Sequence, residues 1–197
     1  MASDLYALFE GTRYRCIQGQ ARLRRNGKDV TDIDAAIYDE ASGDLVLFQL
    51  KWQEFGTSIV RAQRSRASNF TKQVDEWGKR VCAWIDEFGV EALCRSLRLR
   101  LNTDKTRYVR LVAIGRSAAR FGSYGYNVDK QVLVLSWPQL VRLRMEIGPG
   151  ADIFNEIMNR AIDEANSKID RTPLPHVVTH GDVNVLFKDI WSEFPDR

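Results

Sequence analysis

The sequence predicts an α/β fold in which an antiparallel meander and a parallel crossover strand share one mixed central sheet flanked by helices. Three observations predict it. Two tight-turn signals, Asn26-Gly27 and Ser42-Gly43, separate three short segments of strand-like pattern. A long amphipathic stripe from Phe70 to Phe88 follows them. Beyond it lies a near-continuous apolar run, Tyr108 to Ile114. A strand, a helix and another strand in that order imply a crossover connection and at least one parallel pair.

Each element has its own justification. Residues 3–14, with Leu5, Leu8 and Phe9 near helical spacing, predict a short helix. Residues 16–25 alternate, with Ile17, Gly19, Ala21 and Leu23 on one face and Gln18, Gln20, Arg22 and Arg24 on the other, as in a half-exposed strand. Val30 to Tyr38 is a second strand and Leu45 to Lys51 a third, apolar except for Gln49 and Lys51. Gly56 to Arg66 reads as a basic loop. Ser68 is placed to cap a helix ending at Gly89, with Phe70, Val74, Trp77, Val81, Trp84, Ile85 and Phe88 on its buried stripe, and a further helical stretch covers 90–98. Tyr108–Ile114 and Val132–Leu135 are buried strands around a loop, 116–127. Ser136-Trp137-Pro138 opens a helix that Gly148-Pro149-Gly150 ends. Ile153, Phe154, Ile157, Met158 and Ile162 mark one more helix, and Val183–Phe187 a last strand.

The bulk numbers fit this scheme. A chain of 197 residues, 44% hydrophobic and 28% charged, is long enough for one core and ordinary for a globular protein. We expect a core over 1–150, with 151–197 forming a C-terminal helix and tail packed on it. No apolar stretch approaches membrane-spanning length, and Met1–Glu10 lacks the pattern of a signal peptide. Cys16, Cys82 and Cys94 have no metal-type spacing, which suggests free thiols and a cytoplasmic protein. Net charge is +3, but residues 1–130 hold 22 Lys/Arg against 16 Asp/Glu, and 131–197 hold 7 against 10. The skew suits a polyanionic partner, and equally a solvated basic surface.

The second hairpin carries the chemistry. A turn centred between Ala41 and Ser42 places Asp34 opposite Gln49. Lys51 lies two residues further along the strand, so all three share a face. Paired Cα atoms sit roughly 5 Å apart and diagonal neighbours about 7–8 Å, within reach of a lysine. A first hairpin centred between Asn26 and Gly27 would place Gly19 opposite Asp34, leaving the carboxylate room for a ligand. Two explanations fit such a trio. One is a cross-strand ion pair of Lys51 with Asp32 or Asp34. The other is a site in which Asp34 and the Gln49 carbonyl hold a hard divalent cation and Lys51 orients or deprotonates water.

Asp34, fourteen intervening residues and then Gln49-Leu50-Lys51 resemble the PD-(D/E)XK nuclease motif, in the QxK form found among Mrr-like restriction endonucleases. The resemblance covers about residues 3–136 and implies a restriction-endonuclease-like core. It departs from the motif's name at Ile33, where proline would stand, and at Gln49, where an acid would stand. It implies that Glu10, 24 residues before Asp34, completes a Mg²⁺ (or Mn²⁺) site with Asp34 and Gln49, with Asp32 as the fallback acid. It also implies that Lys72 and Gln73 hold the scissile phosphate. Arg61, Arg64 and Arg66 would follow the nucleic-acid backbone. The function expected is a metal-dependent DNA endonuclease in restriction, repair or anti-phage defence. Its partner would be double-stranded DNA, with dimerisation suited to cutting both strands. The alternative is a degenerate nuclease-fold module that binds nucleic acid or assembles within a larger defence complex. His176 and His180, the Phe70–Phe88 aromatic stripe and the loop tyrosines Tyr124 and Tyr126 carry no comparable signal.

Overall fold

The computed structural model describes residues 2–17, 19–51, 60–99, 106, 108–116, 132–148, 152–169, 176–180 and 183–187, with backbone alone for 60–68 and beyond 164. The chain divides into two compact units, Met1–Met158 and Asn159–Arg197.

The first unit is built on a mixed five-stranded sheet. It comprises β1 (Tyr14–Cys16), β4 (Ala35–Asp39), β5 (Asp44–Lys51), β6 (Tyr108–Gly115) and β7 (Val132–Ser136), side by side in that order. The β1/β4 and β4/β5 pairs are antiparallel, while β5/β6 and β6/β7 are parallel. A second, two-stranded sheet pairs β2 (Ala21–Arg25) with β3 (Lys28–Ile33). The expected strand 30–38 is thus two strands in two sheets, bent at Asp34, and the expected strand 16–25 is likewise split between β1 and β2. Gly19, at φ +77°, takes the left-handed backbone that bulkier residues avoid, and it lies between those two strands.

Helix α1 (Ala2–Leu8) is shorter than the expected 3–14, because the chain turns at Gly11 (φ +130°) and enters β1 at Tyr14. Helical run α2 (Val60–Ser96) is two helices joined at Gly89, whose φ of 81° and ψ of 166° are non-helical. The glycine ends the first helix where the sequence places its end. The start differs, since residues 60–66 are helical rather than loop and Ser68 is interior. Arg61, Ala62, Gln63 and Arg64 are good helix formers, so propensity extends the helix beyond the reach of its apolar stripe. Helix α3 (Trp137–Glu146) follows β7 directly, and the Ser136 hydroxyl caps it by accepting from Gln139 N at 3.3 Å. Helix α4 (Ile153–Ile169) starts with the Asp152 carboxylate accepting from Asn155 N at 3.3 Å.

Both faces of the five-stranded sheet are covered. Ala36, Tyr38, Leu45, Leu47, Leu111, Ala113 and Val132 share one core cluster with Phe70, Val74, Trp77, Val81 and Trp84 of α2. The approach is close: a Cβ on Gly78 would lie 2.4 Å from the Val132 side chain. On the other face, Val46, Phe48, Val112 and Leu135 pack with Leu140 of α3 and with Phe154 and Ile157 of α4. Hence β5 is buried on both sides over its first six residues, as expected of a strand with parallel and antiparallel neighbours beneath two helix layers. Leu23 and Ile33, both 0% exposed, dock the small hairpin against α2.

The second unit contains the end of α4 and a hairpin of β8 (His176–His180) and β9 (Val183–Phe187). The sequence predicted only the latter strand. His176 and His180 are the first and last residues of β8. No helix among the described residues is long and apolar enough to cross a membrane.

Candidate functional site

The β4–β5 register matches the sequence expectation. Ala35 lies opposite Phe48 and Ile37 opposite Val46, so the ladder extended by one residue pairs Asp34 with Gln49. Asp34 is the bend between β3 and β4. Its N–H still donates to Phe48 O at 3.1 Å, which fixes its backbone against β5. Its carboxylate turns onto β5 as well: Oδ2 accepts from Leu50 N at 2.7 Å and from Gln49 Nε2 at 2.5 Å. Gln49 is only 5% exposed, while Asp34 is half-buried, so the amide–carboxylate contact is part-buried.

The opposite wall differs from expectation. The β2–β3 register shifts by one residue between Leu23 and Arg24, so that Leu23 faces Thr31 while Arg24 faces Asp29. The extra residue, Val30, is a β-bulge. Extending the shifted ladder places Gln20, not Gly19, opposite Asp34. The Gln20 amide nitrogen donates to Asp34 Oδ1 at 2.9 Å and to Asp32 Oδ2 at 2.8 Å. The room that a glycine would have left is taken by a donor bridging two carboxylates. Gln20 is the residue that sequence reasoning missed. Its place on the polar face of that segment was legible, but a bulge without a glycine left no mark from which to read the slip.

Lys51 is half-buried at the last position of β5, beside Gly115 of parallel β6, and its carbonyl accepts from Arg116 N at 3.3 Å. By alternation it continues the row Leu45, Leu47, Gln49 on the α2 side of the sheet. It forms no ion pair among the described residues, so the cross-strand salt bridge that would have explained it is absent there. The trio lies at the carboxyl ends of the parallel strands, where open α/β sheets leave a crevice for ligands.

Glu10 lies off the first helix. It is exposed and follows α1 rather than riding on it. Among the described residues no three His, Cys, Asp or Glu side chains gather into a group that could hold a metal ion, so Glu10, Asp32 and Asp34 do not form such a trio. The physical reason is the early end of α1, at Leu8 rather than near residue 14. Lys72 and Gln73 are exposed on α2, between buried Phe70–Thr71 and Val74. The side chains of Arg61, Arg64 and Arg66, and all of Tyr124 and Tyr126, lie outside the described residues.

Asp32, Asp34, Gln20 and Gln49 together offer carboxylate and amide oxygens, the donor type that Mg²⁺ and Mn²⁺ take. Two carboxylates roughly 5 Å apart repel by about 3 kcal/mol at an effective dielectric near 20. The Gln20 NH₂ offsets part of that repulsion as a neutral donor. A divalent cation would do so more strongly, and either amide can rotate to present its oxygen instead of its nitrogen. By donor chemistry these residues fit such an ion.

Compared with known proteins, the chain matches no family model, no curated protein and no solved structure.

Proposed function

We propose that the chain is a metal-dependent nuclease of the PD-(D/E)XK kind in its QxK form, hydrolysing phosphodiester bonds in double-stranded DNA in restriction, repair or anti-phage defence. One observation carries the reading. Asp34 and Gln49 are in direct contact across adjacent strands, with Lys51 one alternation further along the same face, at the carboxyl ends of the parallel strands. Sequence and geometry thus point to the same three residues, on strands that otherwise bury apolar side chains.

Bound Mg²⁺ or Mn²⁺ would supply Lewis-acid activation of water and of the phosphate. Asp34 and Asp32 would hold it, joined by the carbonyl oxygen of Gln49 or Gln20. Leu50 N–H fixes Asp34 Oδ2, so the carboxylate does not have to reorganise as charge develops. The Lys51 ammonium, half-buried and in no ion pair among the described residues, offsets the added negative charge of a pentavalent phosphate. Lys72 and Gln73, with Arg61, Arg64 and Arg66, would meet the nucleic-acid backbone without reading bases.

A second reading rests on a specific observation. The Asp34 carboxylate already accepts three hydrogen bonds, which suffices to pin the β3–β4 bend without any ion. That favours a non-catalytic nucleic-acid-binding module. Plasmid incubation separates the two. The nuclease reading expects relaxation or linearisation with Mg²⁺ or Mn²⁺, none with EDTA, and none from Lys51→Ala, with DNA binding kept by that variant. Binding without cleavage under every metal condition would leave the module.

A further inference from the structure

The β2–β3 hairpin has two unlike faces. Its inner face carries Leu23 and Ile33, both 0% exposed. Two indoles of α2 clamp its backbone: Trp84 Nε1 donates to Arg24 O at 2.9 Å and Trp77 Nε1 to Asp32 O at 2.8 Å. The ribbon is therefore held rigidly on the core rather than projecting as a loose arm. On its outer face, β2 aligns Gln20, Arg22 and Arg24 at alternate positions. The residues facing Arg22 and Arg24 across the ladder are Asp32 and Asp29, while Arg25 and Lys28 pair with each other on the other face.

Arg22 and Arg24 share one counterion. Arg22 Nη1 and Arg24 Nε meet the two oxygens of Asp29 at 2.9 and 2.8 Å, and both arginine side chains remain 61% exposed. The two guanidinium groups hold the Asp29 carboxyl below the usual carboxylate range, Arg24 foremost. One acid thus holds two arginines in place while neutralising only one of them. An open groove of about 320 Å³ runs beside Arg22, lined also by Gln20, Asp29, Asp32 and Arg80.

We infer that the outer face of the β2–β3 hairpin is a docking surface for the phosphate backbone of double-stranded DNA, with Arg22 and Arg24 as its phosphate contacts and Asp29 as their internal competitor. The exposed guanidinium groups select the occupant, because arginine forks match phosphate oxygens. Shape agrees, because a two-stranded ribbon fits the major groove. Side chains on one face repeat about every 7 Å, two base-pair rises of about 3.4 Å. The row ends at Gln20, which bonds Asp34, so a backbone lying along it arrives at the proposed active site. The inference deepens the nuclease reading and rests on it for that last step.

The test uses the full chain and a labelled duplex of mixed sequence, with EDTA present so that no cleavage occurs, read by anisotropy across a salt series. Arg22→Gln and Arg24→Gln are each expected to weaken binding several-fold and to lower the salt slope by about one. Asp29→Asn is expected to tighten binding, since it releases both arginines. Arg25→Gln, on the other face and paired with Glu87, is expected to leave the slope unchanged. A double Arg22/Arg24 variant that melts like the native chain yet binds with native affinity and slope overturns the inference, as does an Asp29→Asn variant that does not bind more tightly. Plasmid cleavage by the same proteins keeps the two readings apart. Lys51-dependent cutting with no hairpin effect overturns the hairpin alone, and hairpin-dependent binding with no cutting in any metal overturns the nuclease alone.

Discussion

The two ends of the β4–β5 hairpin treat their acids in opposite ways. At the turn end, Asp39 and Asp44 are 0% and 1% exposed, and each is met by a guanidinium. Arg13 forks onto Asp39 at 2.7 and 2.6 Å, and Arg110 bonds Asp44 at 2.8 Å while also reaching Asn155 and Met158 of α4. At the open end Asp34 is more exposed, yet its contacts among the described residues are two amides and a backbone N–H, all neutral. Lys51, two residues beyond Gln49, forms no ion pair among the described residues. Among the described residues, charge is neutralised where it holds the fold and left uncompensated where a cation and a phosphate could complete it. That contrast, more than the motif alone, is the argument for chemistry at Asp34.

The contrast can be broken or sharpened by substitution, in descending order of expected effect on stability. Asp39→Ala leaves Arg13 without its fork and Ala41 N without its acceptor at 2.9 Å, and should cost about 3–5 kcal/mol in urea unfolding. A loss under about 1 kcal/mol would mean that the turn-end pair does not hold the fold. Asp34→Ala strands Leu50 N–H and the Gln49 amide but no buried counter-charge, so about 1–3 kcal/mol is expected, together with complete loss of cleavage.

Asp44→Asn should cost less, below about 1 kcal/mol at neutral pH, because burial of Asp44 outweighs Arg110 and raises its carboxyl above the ordinary 3.8. A raised folded-state value means that the folded chain holds the proton more tightly. The stability from this group is fully present below pH 3.8 and is lost as pH rises through the folded value. The native chain should therefore lose stability relative to Asp44→Asn over that climb, and urea midpoints measured at several pH values would show the trend or its absence. Smallest of all, Lys51→Ala should change stability by no more than about 0.5 kcal/mol while abolishing cleavage.

The sequence was most legible where turn chemistry and alternation agreed. Ser42-Gly43 and the apolar run Leu45–Phe48 of β5 set the Asp34–Gln49 register correctly. Gly89 marked the helix break, and Ser136 marked the start of α3. It was least legible where tertiary packing overrode local pattern. Val30 bulges without a glycine to announce it, which slid Gln20 into the position expected for Gly19. Asp34 bends a continuous apolar-polar run into two sheets, since its side chain accepts Leu50 N–H from the neighbouring strand, a long-range contact with no local signature. Glu10 came from the family resemblance on an expected helix that ends instead at Leu8, two residues short of it. Helix α2 began early because Arg, Ala and Gln favour helix without the apolar spacing that the reading relied on.

Manganese binding tests the central claim most directly. The electron paramagnetic resonance signal of free Mn²⁺ can be followed as native protein and Asp34→Asn are titrated in parallel. The account predicts that the native chain sequesters the ion and that the variant, folded but lacking the carboxylate, leaves it free. Equal sequestration by both, or by neither, would contradict a metal-dependent site at the open end of the β4–β5 hairpin.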